Sequence, residues 1–251
     1  MTVTESRCRP ADRDKSAIDI GNERMQKPIT PVDAKPINDP YAGAARCYGA
    51  CLDPIIIRWK IKALKLLPPR TGMVVLDAGC GTGAQLKLYR SYGCRVFGIE
   101  ISAGMIAAAR QKPEDLLNLC RGNAAVMPYR DKTFELILLS MMLHEIPPDM
   151  RSAVLAETGR ILRDSGRILI IDYHAGRTTL PGQMVKGVIT LIEMAAGRTH
   201  FKNYRHYMAA EGLPPLLTKH GLTVERRDVA ASGNIGLYLV RKDLGGDAFS
   251  K

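Results

Sequence analysis

Asp77 closes an apolar run that opens at Val74, and glycine then occupies every second position, at Gly79, Gly81 and Gly83. Alternate glycines are entropically costly unless the backbone must take a conformation that side chains resist, or must approach a ligand closely. Between a strand and a helix, such a loop offers main-chain N–H groups and a helix N-terminus to a nucleotide-like cofactor. Two further sets of residues could handle an acceptor. His144 and Glu145 follow one apolar run, and Asp172 and His174 close another. Histidine next to carboxylates is a pairing suited to proton transfer near neutral pH.

The loop alone does not choose its cofactor. Gly79, Gly81 and Ala84 satisfy the G-x-G-x-x-A pattern of dinucleotide sites. Glu100, at the end of the next apolar run, stands near the distance at which an acid grips ribose hydroxyls. Any cofactor built on adenosine has a use for that acid, so a nicotinamide oxidoreductase remains open at this point.

The elements that must position these residues alternate along the chain. "PIIIRWKIKALKLL", residues 54–67, has helical spacing, and "PPRTG" stops it. "MVVLDA" reads as a buried strand, "GAQLKLYRSYG" as a helix closed by Gly93, and "RVFGIE" as a second strand. "SAGMIAAARQK" begins at a cap, Ser102, and runs to Lys112. "LLNLC" and "FELILLS" are a third and a fourth strand, "DMRSAVLAETGRIL" a helix, and "GRILIIDY" a fifth strand. Two helical stretches follow, about 183–195 and 204–220, and then "LTVERRDV" and "IGLYLVRK" form a terminal antiparallel hairpin around "AASGN". The expected fold is α/β: a Rossmann-like, seven-stranded, mostly parallel sheet with helices on both faces.

Composition narrows the function classes. The 251 residues, 46% hydrophobic and 24% charged, suit one large α/β domain. Residues 1–40 hold seven basic and seven acidic side chains, so the net +11 lies entirely in 41–251. "QKPITPVDAKPINDP" carries four prolines in fifteen residues, which blocks helix and central strand, and 1–40 is read as a flexible arm before a domain at 41–251. With aromatics at 6% and no basic run that interleaves them, the charge suits anionic small molecules or surfaces and does not single out nucleic acid. No signal peptide or membrane span is read, which gives a cytoplasmic expectation with peripheral membrane contact left open. Among Cys8, Cys47, Cys51, Cys80, Cys94 and Cys120, only Cys47 and Cys51 have ligand-like spacing, so no metal site is expected.

The later segments weigh against the dinucleotide reading. "LDAGCGTG", "GIEIS", "GNAAVMPYRDKTFELILLSMMLHEI" and "RILRDSGRILIIDYH" occur in an order and spacing that resemble the class I S-adenosylmethionine-dependent methyltransferases. Within that family the chain looks like the subgroup of quinone-ring C-methyltransferases and bacterial phospholipid N-methyltransferases. There a tyrosine-bearing helix precedes the core, as "YAGAARCYGACLDPII" does here. The resemblance implies methyl transfer from S-adenosyl-L-methionine by in-line displacement, leaving S-adenosyl-L-homocysteine. It implies that Asp77 and the loop at Ala78, Gly79, Cys80 and Gly81 surround the methionine part of the cofactor. Glu100 would bind the ribose and Ile101 pack on the adenine. Asn123 and Ala124 stand where the family usually has an adenine-binding Asp; the amide keeps an acceptor and loses the charge. Ser140 ends the fourth strand beside the sulfonium. A non-catalytic module that binds the same cofactor remains an alternative, as does the oxidoreductase.

Acceptor chemistry falls to His144, Asp172 and His174, and to Tyr41 and Tyr48, two helical turns apart on a helix expected to close over the cofactor. Glu145 orients His144 or faces solvent. Residues 175–221 are expected to roof the acceptor, with an apolar wall of Met184, Ile189, Ile192 and Met194. Its basic, tyrosine-rich rim comprises Arg198, His200, Lys202, Tyr204, Arg205, His206 and Tyr207. Such a roof suits a small-molecule or lipid-like acceptor with a hydrophobic body and an anionic group, and it could also serve as a homodimer contact.

Overall fold

The computed structural model describes residues 53–110, 117–175 and 179–243. The proposed arm, its boundary near 40, and Tyr41 and Tyr48 lie outside these residues. Seven strands form one sheet: β1 (Val74–Ala78), β2 (Arg95–Glu100), β3 (Asn118–Arg121), β4 (Phe134–Ser140), β5 (Leu162–Tyr173), β6 (Leu222–Ala230) and β7 (Ile235–Lys242). Their order is β3-β2-β1-β4-β5-β7-β6, and all pairings are parallel except those of β7, which runs antiparallel to β5 and β6. All five residues of β1 are buried. Because successive side chains point to opposite faces, that burial requires cover on both sides of the sheet. The cover comes from α1 (Asp53–Ala63), α2 (Ala84–Ser91), α3 (Ala103–Ala109), α4 (Pro148–Ile161), α5 (Leu180–Ala195), α6 (Arg198–Ala209) and α7 (Leu213–Lys219).

Two local signals act as the sequence predicts. Ser102 caps α3, its hydroxyl accepting the Met105 N–H at 3.1 Å. The three alternate glycines after β1 all have left-handed φ, +75° at Gly79, +53° at Gly81 and +73° at Gly83. A side chain is strained at each of these, so conformation alone demands glycine.

Gly98 in β2 is glycine for a different reason. A Cβ there would lie 2.7 Å from Leu86 Cδ1 and 2.8 Å from Cys80 Sγ and Leu119 Cδ2. Gly98→Ala is therefore expected to destabilise the fold by about 1–3 kcal/mol through overpacking, read as a lower urea midpoint with an unchanged slope.

The region between β5 and β6 departs from expectation. Three helices stand where two are predicted: the first starts earlier, at Leu180, and the second begins at Arg198, not at 204. The predicted run to residue 220 is broken by Glu211 and Gly212, both at positive φ (+61° and +72°), after which Pro214 and Pro215 open α7. Gly212 and the two prolines after it are the sequence signal for that break. Among the described residues no helix is long and apolar enough to cross a membrane.

Candidate active site

The order of strands reverses between β1 and β4, and in open α/β sheets ligands collect at the carboxyl ends of strands beside such a reversal. A cavity of about 140 Å³ lies there, walled by Gly79, Cys80, Gly81 and Thr82 of the loop, Glu100 and Ile101 after β2, and Ser140, Met141, Met142, Glu145 and Ile146 after β4. Lys60 and Asp53 of α1 and Met105 of α3 complete it. The loop is held from behind: Ile99 C=O accepts the Gly79 N–H at 2.8 Å and the Cys80 N–H at 3.2 Å. Helix α1 is tied to it from in front, Thr82 Oγ1 donating to Asp53 Oδ2 at 2.5 Å.

Glu100 sits at the centre of this wall. One carboxylate oxygen accepts the Gly81 N–H at 2.9 Å and the other the Ser102 N–H at 2.8 Å. Asp77 lies beneath the loop, 1% exposed, and its Oδ1 has no hydrogen-bond partner. Burial pushes its carboxyl up to about 7; the Lys60 ammonium opposes that rise and the Glu100 charge adds to it. Ala78 is wholly buried behind it. A buried carboxylate oxygen without a donor, an acid at the end of β2 and an open glycine backbone fit a cofactor with an ammonium group and a nucleoside.

Ser140 donates to Gln85 Oε1 at 2.5 Å, which holds the start of α2 against β4. Met141 follows in a left-handed conformation, φ +54°, at the cavity edge. A non-glycine residue there stores about 1–3 kcal/mol of backbone strain, a feature that concentrates at functional sites. Asn123 and Ala124 are in the turn after β3, outside the cavity wall; Asn123 Oδ1 accepts the Ala125 N–H at 2.9 Å, so one of its two lone pairs is used.

The acceptor candidates separate into two groups. His144 and Asp172 meet: Nδ1 of the buried imidazole is 2.7 Å from Asp172 Oδ1. Asp172 also accepts the Leu143 N–H at 2.9 Å and the Tyr173 N–H at 2.7 Å, which fixes its carboxylate. Burial alone would lower the imidazole's pKa, but the Asp172 charge and hydrogen bond, with Glu145 and Glu193, overcome it and push it up to about 9. His174 is not brought to this group. Its ring nitrogens meet Tyr238 OH and an Arg227 guanidinium nitrogen, each at 2.8 Å, on the β6–β7 side.

Glu145 and His200, both named from the sequence, and Glu193 and Arg151, which the sequence reading passed over, complete the first group. Glu145 lines the cavity and stands 3.8 Å from His144 Nε2. Glu193 of α5 accepts the Tyr173 hydroxyl at 2.7 Å and lies 2.7 Å from His200 Nε2 of α6. Burial would raise the Glu193 carboxyl, but His200, His144 and the Tyr173 hydroxyl hold it below the usual carboxylate range. Arg151, buried on α4, braces the whole: it donates to Leu143 C=O at 2.7 Å and to Asn203 C=O of α6 at 2.6 Å. A lone Glu in an apolar helix, and an Arg on the inward face of α4, were the signals available for these two.

Arg151→Met keeps the volume and removes the donors, leaving two carbonyls without them. It is expected to cost about 2–4 kcal/mol and to detach α6 from the loop after β4. Urea unfolding, with limited proteolysis of 196–212, would measure both effects. Of the anticipated apolar wall, only Ile189 is buried; Met184, Ile192 and Met194 face outward at 77%, 44% and 54% exposure, so most of that stripe is not a pocket lining.

This sheet order, with its reversed β7, and a glycine loop paired to an acid at the end of β2 define the class. The fold is that of the class I S-adenosylmethionine-dependent methyltransferases, and in sequence the chain is similar to demethylmenaquinone methyltransferases. Residues 76–170 match the family model described as a methyltransferase domain. Demethylmenaquinone methyltransferase from Oceanobacillus iheyensis is 29% identical over 158 residues, which covers 59% of this chain and 65% of that protein. The Tropheryma whipplei protein of that name is 31% identical over 125 residues, 49% of this chain and 52% of its own length. The chain therefore spans between about half and just under two thirds of these relatives. A SAM-dependent methyltransferase from Aquifex aeolicus superposes with a TM-score of 0.52 at 20% identity, covering 72% of this chain and 88% of that one. The structure of the DhpI–SAH complex gives 0.56 at 16% identity, covering 81% and 94%; at such identities the likeness concerns the fold.

Proposed function

We propose that the protein transfers a methyl group from S-adenosyl-L-methionine to a small, quinone-like acceptor. The observation that carries this reading is the junction of Glu100 and the left-handed glycine loop in one cleft, with the partnerless oxygen of Asp77 buried at the end of β1 just before that loop. When bound, the cofactor supplies an electrophilic methyl group on a sulfonium. Asp77 and the loop backbone hold the methionine end, Glu100 the ribose hydroxyls, and Ile101 and Met105 pack on the base. Met141, Met142 and Ile146 give the reacting end an apolar surround that excludes water. As the S–CH3 bond breaks and the methyl group bonds to the acceptor, the acceptor gives up a proton toward the cleft edge, where Glu145 stands; the rest of in-line displacement depends chiefly on alignment. The names of the related proteins support a quinone-like ring as acceptor.

In this reading residues 175–221 roof the acceptor. The outward apolar side chains Leu180, Met184, Val188 and Leu191 of α5 support access to a lipid-borne acceptor. Calorimetric titration with S-adenosyl-L-methionine, S-adenosyl-L-homocysteine and NADH tests the cofactor. Micromolar binding of the two sulfur compounds and none of NADH is expected, whereas NADH binding alone refutes the reading. Incubation with chemically reduced demethylmenaquinone, whose electron-rich quinol ring can attack the methyl group, and labelled cofactor then tests the acceptor, with label in the quinol as the expected result.

A further inference from the structure

Three potential ligand side chains, each from a different segment, converge behind the cleft. His144 follows β4, Glu193 lies near the end of α5, and His200 lies in the first turn of α6. One ligand atom of each falls within 4.8 Å of the other two. His144 Nε2 is 3.7 Å from Glu193 Oε1, and His200 Nε2 is 2.7 Å from Glu193 Oε2. We propose that His144, Glu193 and His200 form a binding site for one first-row divalent metal ion of the zinc type, with Glu145 at its cleft-side edge.

The donor set fits that class. Two imidazoles and a carboxylate suit zinc, and three protein ligands leave a fourth position for water or another oxygen. A tetrahedral ion with bonds near 2.1 Å needs ligand atoms about 3.4 Å apart. The observed separations of 2.7 and 3.7 Å bracket that spacing, so small side-chain rotations complete the site. Glu145 Oε1, 3.8 Å from His144 Nε2 and 4.0 Å from His200 Nε2, faces the remaining position from the cavity wall.

The surrounding groups are arranged as supports. Asp172 accepts from Nδ1 of His144 at 2.7 Å, which fixes a proton there, so that a cation displacing the Nε2 proton would meet a lone pair directed at the cluster. The Tyr173 hydroxyl, 2.7 Å from Glu193 Oε1, orients that carboxylate. Glu193 Oε2 is buried, and the group nearest to it is the His200 imidazole, whose Nε2 lies 2.7 Å away as an ion pair. An oxygen and two imidazole nitrogens aimed at one small, nearly dry volume make more sense around a cation than around each other. The expectation of no metal site came from cysteine spacing, and this cluster uses no cysteine.

The full chain, stripped with a chelator, would be titrated with Zn²⁺ by calorimetry and with Co²⁺ by visible absorption, both without S-adenosyl compounds. One equivalent of Zn²⁺ at micromolar affinity or tighter is expected, as are intense tetrahedral Co²⁺ bands without thiolate charge transfer. His200→Ala and Glu193→Gln should weaken binding at least ~100-fold, and Asp172→Asn about 10-fold. Circular dichroism and S-adenosyl-L-homocysteine binding by each variant establish that it is folded. The proposal is overturned by absence of saturable binding, by thiolate bands, or by undiminished affinity in folded His200→Ala. Because metal binding is read without the cofactor, this outcome is independent of the cofactor reading.

Discussion

Glu100→Ala should weaken binding of S-adenosyl-L-homocysteine at least ~100-fold while leaving the chain folded. The carboxylate does two jobs at once. It accepts the Gly81 and Ser102 N–H groups at 2.9 and 2.8 Å, which ties the glycine loop of β1 to the start of α3 across the cleft. In the proposed function it also binds the two ribose hydroxyls. Hydrogen bonds to a charged group contribute about 1.5–3 kcal/mol each, so losing the ribose pair alone accounts for roughly 3 kcal/mol or more. The loop loses its anchor as well, and ordering it on binding adds to the penalty. Glu100→Gln separates the two roles. Its amide has one oxygen and one NH₂, so the nitrogen must face either Gly81 N–H or Ser102 N–H, donor against donor. An intermediate loss of about 10-fold is expected. Titration calorimetry on both variants decides. Equal affinity of Glu100→Ala and the unaltered chain would refute the assignment of the cleft.

The sheet and the cofactor cleft were legible in the sequence because local signals agree there with tertiary demands. β1 and β4 read as continuous apolar runs and are buried throughout except at Glu135, which is half-buried. The glycines at 79, 81 and 83 all need left-handed backbone, so their spacing encoded the loop directly. The acceptor side was legible only in part. His144 and Asp172 are 28 residues apart and were paired in expectation merely as ends of neighbouring strands. Glu193 and His200 join them from helices whose facing no sequence period revealed. The apolar spacing of α5 suggested an inward wall, yet its face is divided: Ile189 and Glu193 turn in, whereas Met184, Val188 and Leu191 turn out. A hydrophobic pattern states that a helix has an apolar face, and not which neighbour that face meets. Likewise Glu211 adopts a left-handed conformation that its residue type does not announce, whereas Gly212 and the two prolines after it do mark the break between α6 and α7.

Asp77→Asn should make the protein more stable and a poorer binder. The carboxyl is 1% exposed with one oxygen unpartnered, and burial lifts it from an ordinary 3.8 to about 7 despite the nearby Lys60 ammonium. Because the folded value is raised, this group's contribution to stability is fully present below pH 3.8. That contribution is lost progressively as pH rises through about 7. Holding the charge above neutrality costs on the order of 4 kcal/mol, an upper bound. The neutral amide escapes that cost but leaves Lys60 with less opposing charge, so a net gain of about 1–3 kcal/mol is expected, several degrees in Tm. The gain should be largest near pH ~8 and shrink toward pH ~5, where unaltered Asp77 is itself mostly protonated. Cofactor affinity should run the other way. An ionised Asp77 attracts the ammonium of the methionine end, so binding by the unaltered chain should weaken as pH falls below about 7, and binding by Asp77→Asn should be weaker throughout and nearly flat in that range. Thermal unfolding and calorimetry across this pH range test both halves. A variant less stable at pH ~8 than the unaltered chain would show that Asp77 holds the fold together and is not strained by its role in binding.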